Sequence, residues 1–161
     1  MTSGPQDGLL RAEHFQIAYV TNDLDRACAV FGEQYGVKAF SRLDADLPDM
    51  GEIHIRLAWV GGVMLELIQA AGPGMAFYND RLPADAFAIR HHHFGYLVDG
   101  VAPWEALRRR VEAEGRPIPF EGGAEAYMRF FYVEAADLGH YLEYFVLGPD
   151  GIAFFESVPA T

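Results

Sequence analysis

One phrase occurs twice in this chain, and a repeat limits the available folds more sharply than any local propensity does. Gly62-Val63-Met64-Leu65-Glu66-Leu67-Ile68 and Gly139-His140-Tyr141-Leu142-Glu143-Tyr144-Phe145 each set one carboxylate at the same place after a glycine, inside an otherwise apolar run. The two glutamates are 77 residues apart (66 to 143). The same offset carries Gln16-Ile17-Ala18-Tyr19-Val20 onto His93-Phe94-Gly95-Tyr96-Leu97 (16 to 93). Two independent landmarks agree on one period. The chain therefore reads as two copies of one module, each with a polar, metal-capable residue near its start and a glutamate near its end.

A length of 161 residues suits one domain, and a hydrophobic share of 51% supplies a core for it. The net charge of -11 argues against nucleic acid or an anionic membrane as partner, since both call for basic patches. The single cysteine, Cys28, allows no intramolecular disulfide and fits a reducing compartment. Residues 1–7 show no basic segment followed by an apolar one, and no run approaches the roughly 18 apolar residues of a membrane span. A cytoplasmic protein that handles a small molecule is the expectation.

Residues 1–12 read as an N-terminal arm. A first module over 13–69 begins with a strand over 14–20, and Thr21-Asn22-Asp23 offers capping side chains for a helix. Leu24, Ala27, Cys28, Phe31 and Tyr35 make one apolar helical face, so Cys28 is a packing residue, and Gly36 ends the helix. Strands are expected over 37–43, 52–60 and 62–69, with a polar loop over 44–51 and a tight turn at Gly61-Gly62. A connecting segment, 70–90, carries Gly72-Pro73-Gly74 and Pro83 and covers one end of the domain. The second module, 91–147, repeats the order: a strand over 91–98, a helix marked by Val101, Trp104, Leu107 and Val111, then strands over 116–120, 125–133 and 138–147. A short apolar tail, 148–161, packs back or meets a partner.

The predicted fold class is α+β: two tandem βαβββ modules forming one curved sheet or incomplete barrel with helices outside. This duplication, with Gln16…Asp23-Leu24, the Glu66-Leu67-Ile68-Gln69 phrase, the His93 strand and Gly139…Glu143, resembles the vicinal oxygen chelate superfamily. That superfamily includes glyoxalase I, methylmalonyl-CoA epimerase, extradiol dioxygenases and bleomycin-resistance proteins. The resemblance covers residues 13–147 and is more specific for fold than for reaction.

Strand alternation places Gln16, Ala18 and Val20 on one face, and Met64, Glu66 and Ile68 on one face. The same rule groups His93 with Gly95, and Tyr141 with Glu143 and Phe145. Closing the halves face to face brings Gln16, Glu66, His93 and Glu143 to one cavity, where small Ala18 and Gly95 leave room. Two carboxylates, an imidazole and an amide oxygen suit a divalent ion such as Zn, Ni, Co, Mn or Fe. A lone strand glutamate usually faces solvent; recurrence at one register among bulky apolar neighbours favours burial, which two unpaired carboxylates cannot bear. By alternation His91 shares the face of His93 and His92 does not. His14 shares the face of Gln16 and is the alternative ligand. His54 and Arg56 share a face and, with Tyr141, are candidate substrate-binding residues; a surface pair is the competing reading. Arg108-Arg109-Arg110 reads as a solvated face.

The ligand order Gln–Glu–His–Glu is similar to that of eukaryotic-type glyoxalase I, whereas Gln16 departs from the two-His, one-Glu set of extradiol dioxygenases. The resemblance implies an isomerase, epimerase or lyase acting through a metal-stabilised enolate on a small carbonyl compound or acyl thioester. It implies Glu143 or Glu66 as general base, and a homodimer. The competing class is a drug-sequestering protein of the bleomycin-resistance type, with which the charge and the aromatics Trp59, Tyr141 and Phe145 are compatible.

Overall fold

The computed structural model describes residues 8–161, and the first part of the expected arm lies outside them. The first module runs β1 (Glu13–Thr21), α1 (Leu24–Tyr35), β2 (Ser41–Leu47), β3 (Gly51–Val60) and β4 (Val63–Ala71). A connecting segment with the one-turn helix α2 (Ala76–Asn79) follows. The second module runs β5 (Ile89–Leu97), α3 (Val101–Ala113), β6 (Glu121–Ala124), β7 (Met128–Ala135) and β8 (His140–Leu147), and α4 (Pro149–Ser157) ends the chain. The eight strands form one curled sheet in the order β2-β3-β4-β1-β5-β8-β7-β6. Within each module the first and last strands pair in parallel (β1 with β4, β5 with β8), and the modules join where β1 and β5 run antiparallel.

Local chemistry accounts for the elements. Asp23 caps α1 by accepting from the Arg26 amide at 3.0 Å, and Gly36 closes it. Gly61 and Gly62 hold φ of 58° and 81°, the two left-handed positions of a two-residue hairpin between β3 and β4. Two expected elements shifted. The strand after α1 lies at Ser41–Leu47 instead of 37–43, because Arg42, Asp44 and Asp46 alternate along an edge strand that the charges had made look like a loop. The segment 116–120 is not a strand; pairing with β7 begins at Glu121. The apolar tail is the helix α4, with Pro149 in its first turn.

The two long helices, α1 and α3, lie outside the sheet. On its outer face, α1 buries Leu24 and Ala27 against Ala58, Leu65 and Leu67, and α3 buries Trp104 and Val111 against Tyr96, Phe131 and Tyr144. The inner face is a trough whose ends are capped. Met75 and Tyr78, from the connecting segment, pack on Val20, Ile53, Ile68 and Ala70 at one end. At the other, Phe155 and Val158 pack on Phe15, Leu57, Met64 and Phe145, and the chain end returns to β3 at Trp59. Among the described residues no helix is long and apolar enough to cross a membrane.

Trp104 is 3% exposed and its Nε1 donates to the Tyr144 carbonyl at 2.9 Å, clamping α3 to β8. Trp104→Ala is expected to cost about 3–5 kcal/mol in urea unfolding, through the cavity and the orphaned carbonyl.

Candidate functional site

Gln16, Glu66, His93 and Glu143 converge in the middle of the trough, and all four are buried, His93 completely. They stand on the four central strands β1, β4, β5 and β8, so the seam between the modules passes through the cluster. The Gln16 amide nitrogen lies 2.7 Å from Glu66 Oε2, 3.2 Å from His93 Nε2 and 3.4 Å from Glu143 Oε2. His93 Nε2 lies 3.4 Å from Glu66 Oε2 and 3.2 Å from Glu143 Oε2. Among the described residues no three His, Cys, Asp or Glu side chains are spread as a ready metal cage; these donors contact one another instead.

Electrostatics follow from the burial. Desolvation alone would hold His93 down, but Glu143 and Glu66 outweigh it and lift the imidazole to about 9. Glu66 is pushed up by desolvation, which the His93 contact opposes. Tyr78 and Tyr132 bring two buried phenols beside the carboxylates. Burial first, and the Glu143 charge in addition, raises both and keeps them neutral donors. The Tyr127 hydroxyl is buried without a hydrogen-bond partner; burial and the Glu66 charge push it up to about 12.

Two bulges change which neighbours share the trough. Between β1 and β5 the register slips once at His14/Gln16 and once at Ala18/Tyr19, where His93 and His91 oppose consecutive residues of β1. The first bulge turns Phe15 inward with Gln16 and leaves His14 on the outer face, its ring 4.9 Å from Phe94 and 5.5 Å from Tyr96. His14 is thereby corrected as a substitute for Gln16. The second turns His92 inward beside His93 and sends His91 outward against Tyr19, Phe94 and His140. Alternation had assigned His91 and His92 the other way round. His92 is wholly buried, its Nδ1 2.9 Å from His93 Nδ1 and its Nε2 3.0 Å from the Phe77 carbonyl. Desolvation and the neighbouring His93 hold it down at about 2.

The expected substrate residues divide. Tyr141 lies on the inner face, its ring 4.6 Å from Phe77 and 4.9 Å from His92, with the Arg81 guanidinium 4.8 Å above it. His54 and Arg56 pair in register with Gln69 and Leu67 and so stand on the outer face, away from the cluster. There Arg56 donates to Asp44 at 2.9 Å and His54 lies 3.3 Å from the same carboxylate. Nor is there open room beside Gly95: a methyl added there would meet Gln16 Cβ at 2.8 Å, Phe145 at 3.2 Å and Glu143 Oε2 at 3.3 Å. An apolar cleft of about 540 Å³ opens on the outer face under α1, lined by Ile17, Tyr19, Phe31, Val63 and Leu65, and includes none of the cluster. Tyr78, Tyr132, Tyr127 and His92 escaped the sequence reading. The 77-residue offset, which sets His92 opposite Phe15, was the one available pointer to a buried ring there.

No family model and no curated protein matches the sequence. Solved structures do. Methylmalonyl-CoA epimerase from Mycobacterium tuberculosis superposes with a TM-score of 0.61 at 15% identity, covering 94% of this chain and 97% of the other. A Streptomyces coelicolor methylmalonyl-CoA epimerase variant in complex with 2-nitronate-propionyl-CoA gives 0.58 at 14% identity, over 84% and 98%. A hypothetical protein from Bacillus halodurans C-125 gives 0.59 at 15%, over 84% and 94%. The fold is the one these structures share. At these identities the likeness establishes architecture alone.

Two measurements probe the geometry. Gly95→Ala is expected to lower stability by about 1–3 kcal/mol in chemical denaturation, because Gln16, Phe145 and Glu143 must all give way. On the outer face, desolvation is the largest single effect on Asp44 and works against its ionisation, but the Arg56 and Arg42 hydrogen bonds and charges together outweigh it and hold its carboxyl at about 2 against an ordinary 3.8. A depressed carboxylate contributes stability above its unfolded value, lost as pH falls through the folded one. Carboxyl NMR should therefore show a midpoint near 2, moving back toward 3.8 in Arg56→Gln.

Proposed function

We propose that this chain is a metal-dependent isomerase of the epimerase kind, which moves the α-proton of a small acyl thioester. One observation carries the reading. Nε2 of His93 and one carboxylate oxygen each of Glu66 and Glu143 lie within 3.4 Å of one another or of the Gln16 amide, out of water. Three electron-rich atoms this close in a dry interior need a proton or a cation among them. A proton on His93 serves in the contact arrangement; a divalent ion is the alternative that the donor set fits. Atoms sharing one ion about 2.0–2.2 Å away stand roughly 3.0–3.4 Å apart. His93 Nε2 lies 3.4 Å from Glu66 Oε2 and 3.2 Å from Glu143 Oε2, whereas the 2.7 Å contact of Gln16 with Glu66 would have to open, with the Gln16 amide turned to offer its oxygen.

Bound by Gln16, Glu66, His93 and Glu143, such an ion would act as a Lewis acid toward the substrate carbonyl. The residues themselves account for the proton transfers. Glu66 and Glu143 reach the centre from strands on opposite sides of the β1–β5 seam, so they address opposite faces of an α-carbon held there. Glu143 takes the proton, and the electron pair it leaves delocalises onto the carbonyl oxygen. Glu66, detached from the ion and protonated, delivers its proton to the other face, and the configuration is inverted. The neutral phenols of Tyr78 and Tyr132 supply donors along the wall, and the capped trough excludes water. Methylmalonyl-CoA and 2-nitronate-propionyl-CoA, ligands of structural neighbours, point to acyl-CoA esters as the class to try first.

The decisive experiment measures metal content of untagged protein by elemental mass spectrometry, then α-deuterium exchange of methylmalonyl-CoA in D₂O by NMR. About one divalent ion per chain is expected, with exchange lost on chelation and restored by the ion. Glu143→Gln should slow exchange by about 10²–10⁴-fold in a chain that still folds. Unchanged exchange in that variant removes Glu143 as base. A chain that takes up no Zn²⁺, Ni²⁺, Co²⁺, Mn²⁺ or Fe²⁺ and exchanges nothing overturns the enzyme reading in favour of a sequestering protein.

A further inference from the structure

His92 has no part in the chemistry above, yet it is wholly buried with both ring nitrogens engaged. Its Nε2 faces the Phe77 carbonyl at 3.0 Å, and a carbonyl only accepts, so that nitrogen carries the ring proton. The rings packed around it are Phe77, Tyr78, Tyr132, Tyr141 and His93, with no carboxylate among its hydrogen-bond partners. The ring is therefore neutral and Nδ1 holds a lone pair. That lone pair faces His93 Nδ1 at 2.9 Å. Two lone pairs at that distance repel, so His93 must be the donor. One tautomer satisfies the whole chain: His93 Nδ1–H to His92, and His92 Nε2–H to the backbone of α2. It leaves His93 Nε2 as the nitrogen aimed at Gln16, Glu66 and Glu143.

We propose that His92 is a positioning residue that fixes the tautomer and ring orientation of His93, and ties the centre to α2 through the Phe77 carbonyl. The inference rests on the reading of His93 as an ion ligand. Ligating histidines generally donate their second N–H to an acceptor that holds the ring, and the partner here is a second imidazole anchored on backbone. The repeat supplies independent support. The residue 77 positions earlier is Phe15, which occupies the matching bulge in β1 and packs there as an apolar ring. The fold thus asks for a buried ring at this place; the two nitrogens of His92 exceed that requirement.

His92→Phe restores the side chain of the matching bulge and should fold, which thermal unfolding verifies. His92→Asn keeps an acceptor for His93. Chelator-stripped wild type and both variants are titrated with Zn²⁺ by calorimetry against a competing chelator. Long-range ¹H–¹⁵N NMR of the wild-type Zn²⁺ form reads the tautomers. A loss of about 10–100-fold in Zn²⁺ affinity for His92→Phe, smaller for His92→Asn, is expected, with His93 protonated at Nδ1 and His92 at Nε2. Equal affinity in His92→Phe, or His93 protonated at Nε2 in the Zn²⁺ form, overturns the role of His92 while leaving the ion site standing. Wild type that binds no Zn²⁺ removes the reading of His93 as ligand, and this inference with it.

Discussion

The antiparallel seam between β1 and β5 is the contact on which the rest of this molecule depends. Each module alone is a four-stranded sheet whose first strand is an unpaired edge. Joining the two first strands pairs those edges, leaving only β2 and β6 at the rims, and sets Gln16 of one module beside Gly95 and His93 of the other. Glu66 and Glu143 then follow by parallel pairing, one strand out on either side, where Glu66 lies opposite Ala18 and Glu143 opposite Gly95. The four polar groups are thus placed by main-chain hydrogen bonds of the central strands, the least deformable part of the sheet.

That placement concentrates charge where the surroundings are most apolar. Val20, Ile68, Met75 and Tyr78 close one side and Phe15, Met64, Phe145 and Phe155 the other. In such a medium the two carboxylates raise the imidazole's demand for a proton, so His93 moves up, while desolvation above all makes Glu66 resist ionisation. The site's chemistry is a property of the group, and removal of any member changes the state of the others.

The fold was largely legible in the sequence because the 77-residue offset links distant positions, which local propensity cannot do. The four-residue cluster was legible for the same reason: Glu66 with Glu143 and Gln16 with His93 each share a register. What stayed hidden has specific causes. A bulge breaks period-two alternation without a composition signal, so His14, His91 and His92 were assigned to the wrong faces. Asp44 and Asp46 made an edge strand resemble a loop, and the same Asp44 holds His54 and Arg56 on the outer face. Tyr78 comes from a connecting segment that has no counterpart in the repeat, so no internal comparison could place it at the site.

The two bulges also carry a record of descent. A bulge is a one-residue insertion in one partner of a strand pair, and here it occurs at the same repeat position in both halves, at Phe15 and at His92. Two separate insertions at matched positions are less economical than one that preceded the doubling of the unit. A single ancestral unit would have carried this irregular edge already, and two copies meeting edge to edge would have built the same seam as a symmetric pair. Fusion into one chain then freed the halves to diverge. One copy now carries an apolar ring at the bulge, and the other a second imidazole beside the first.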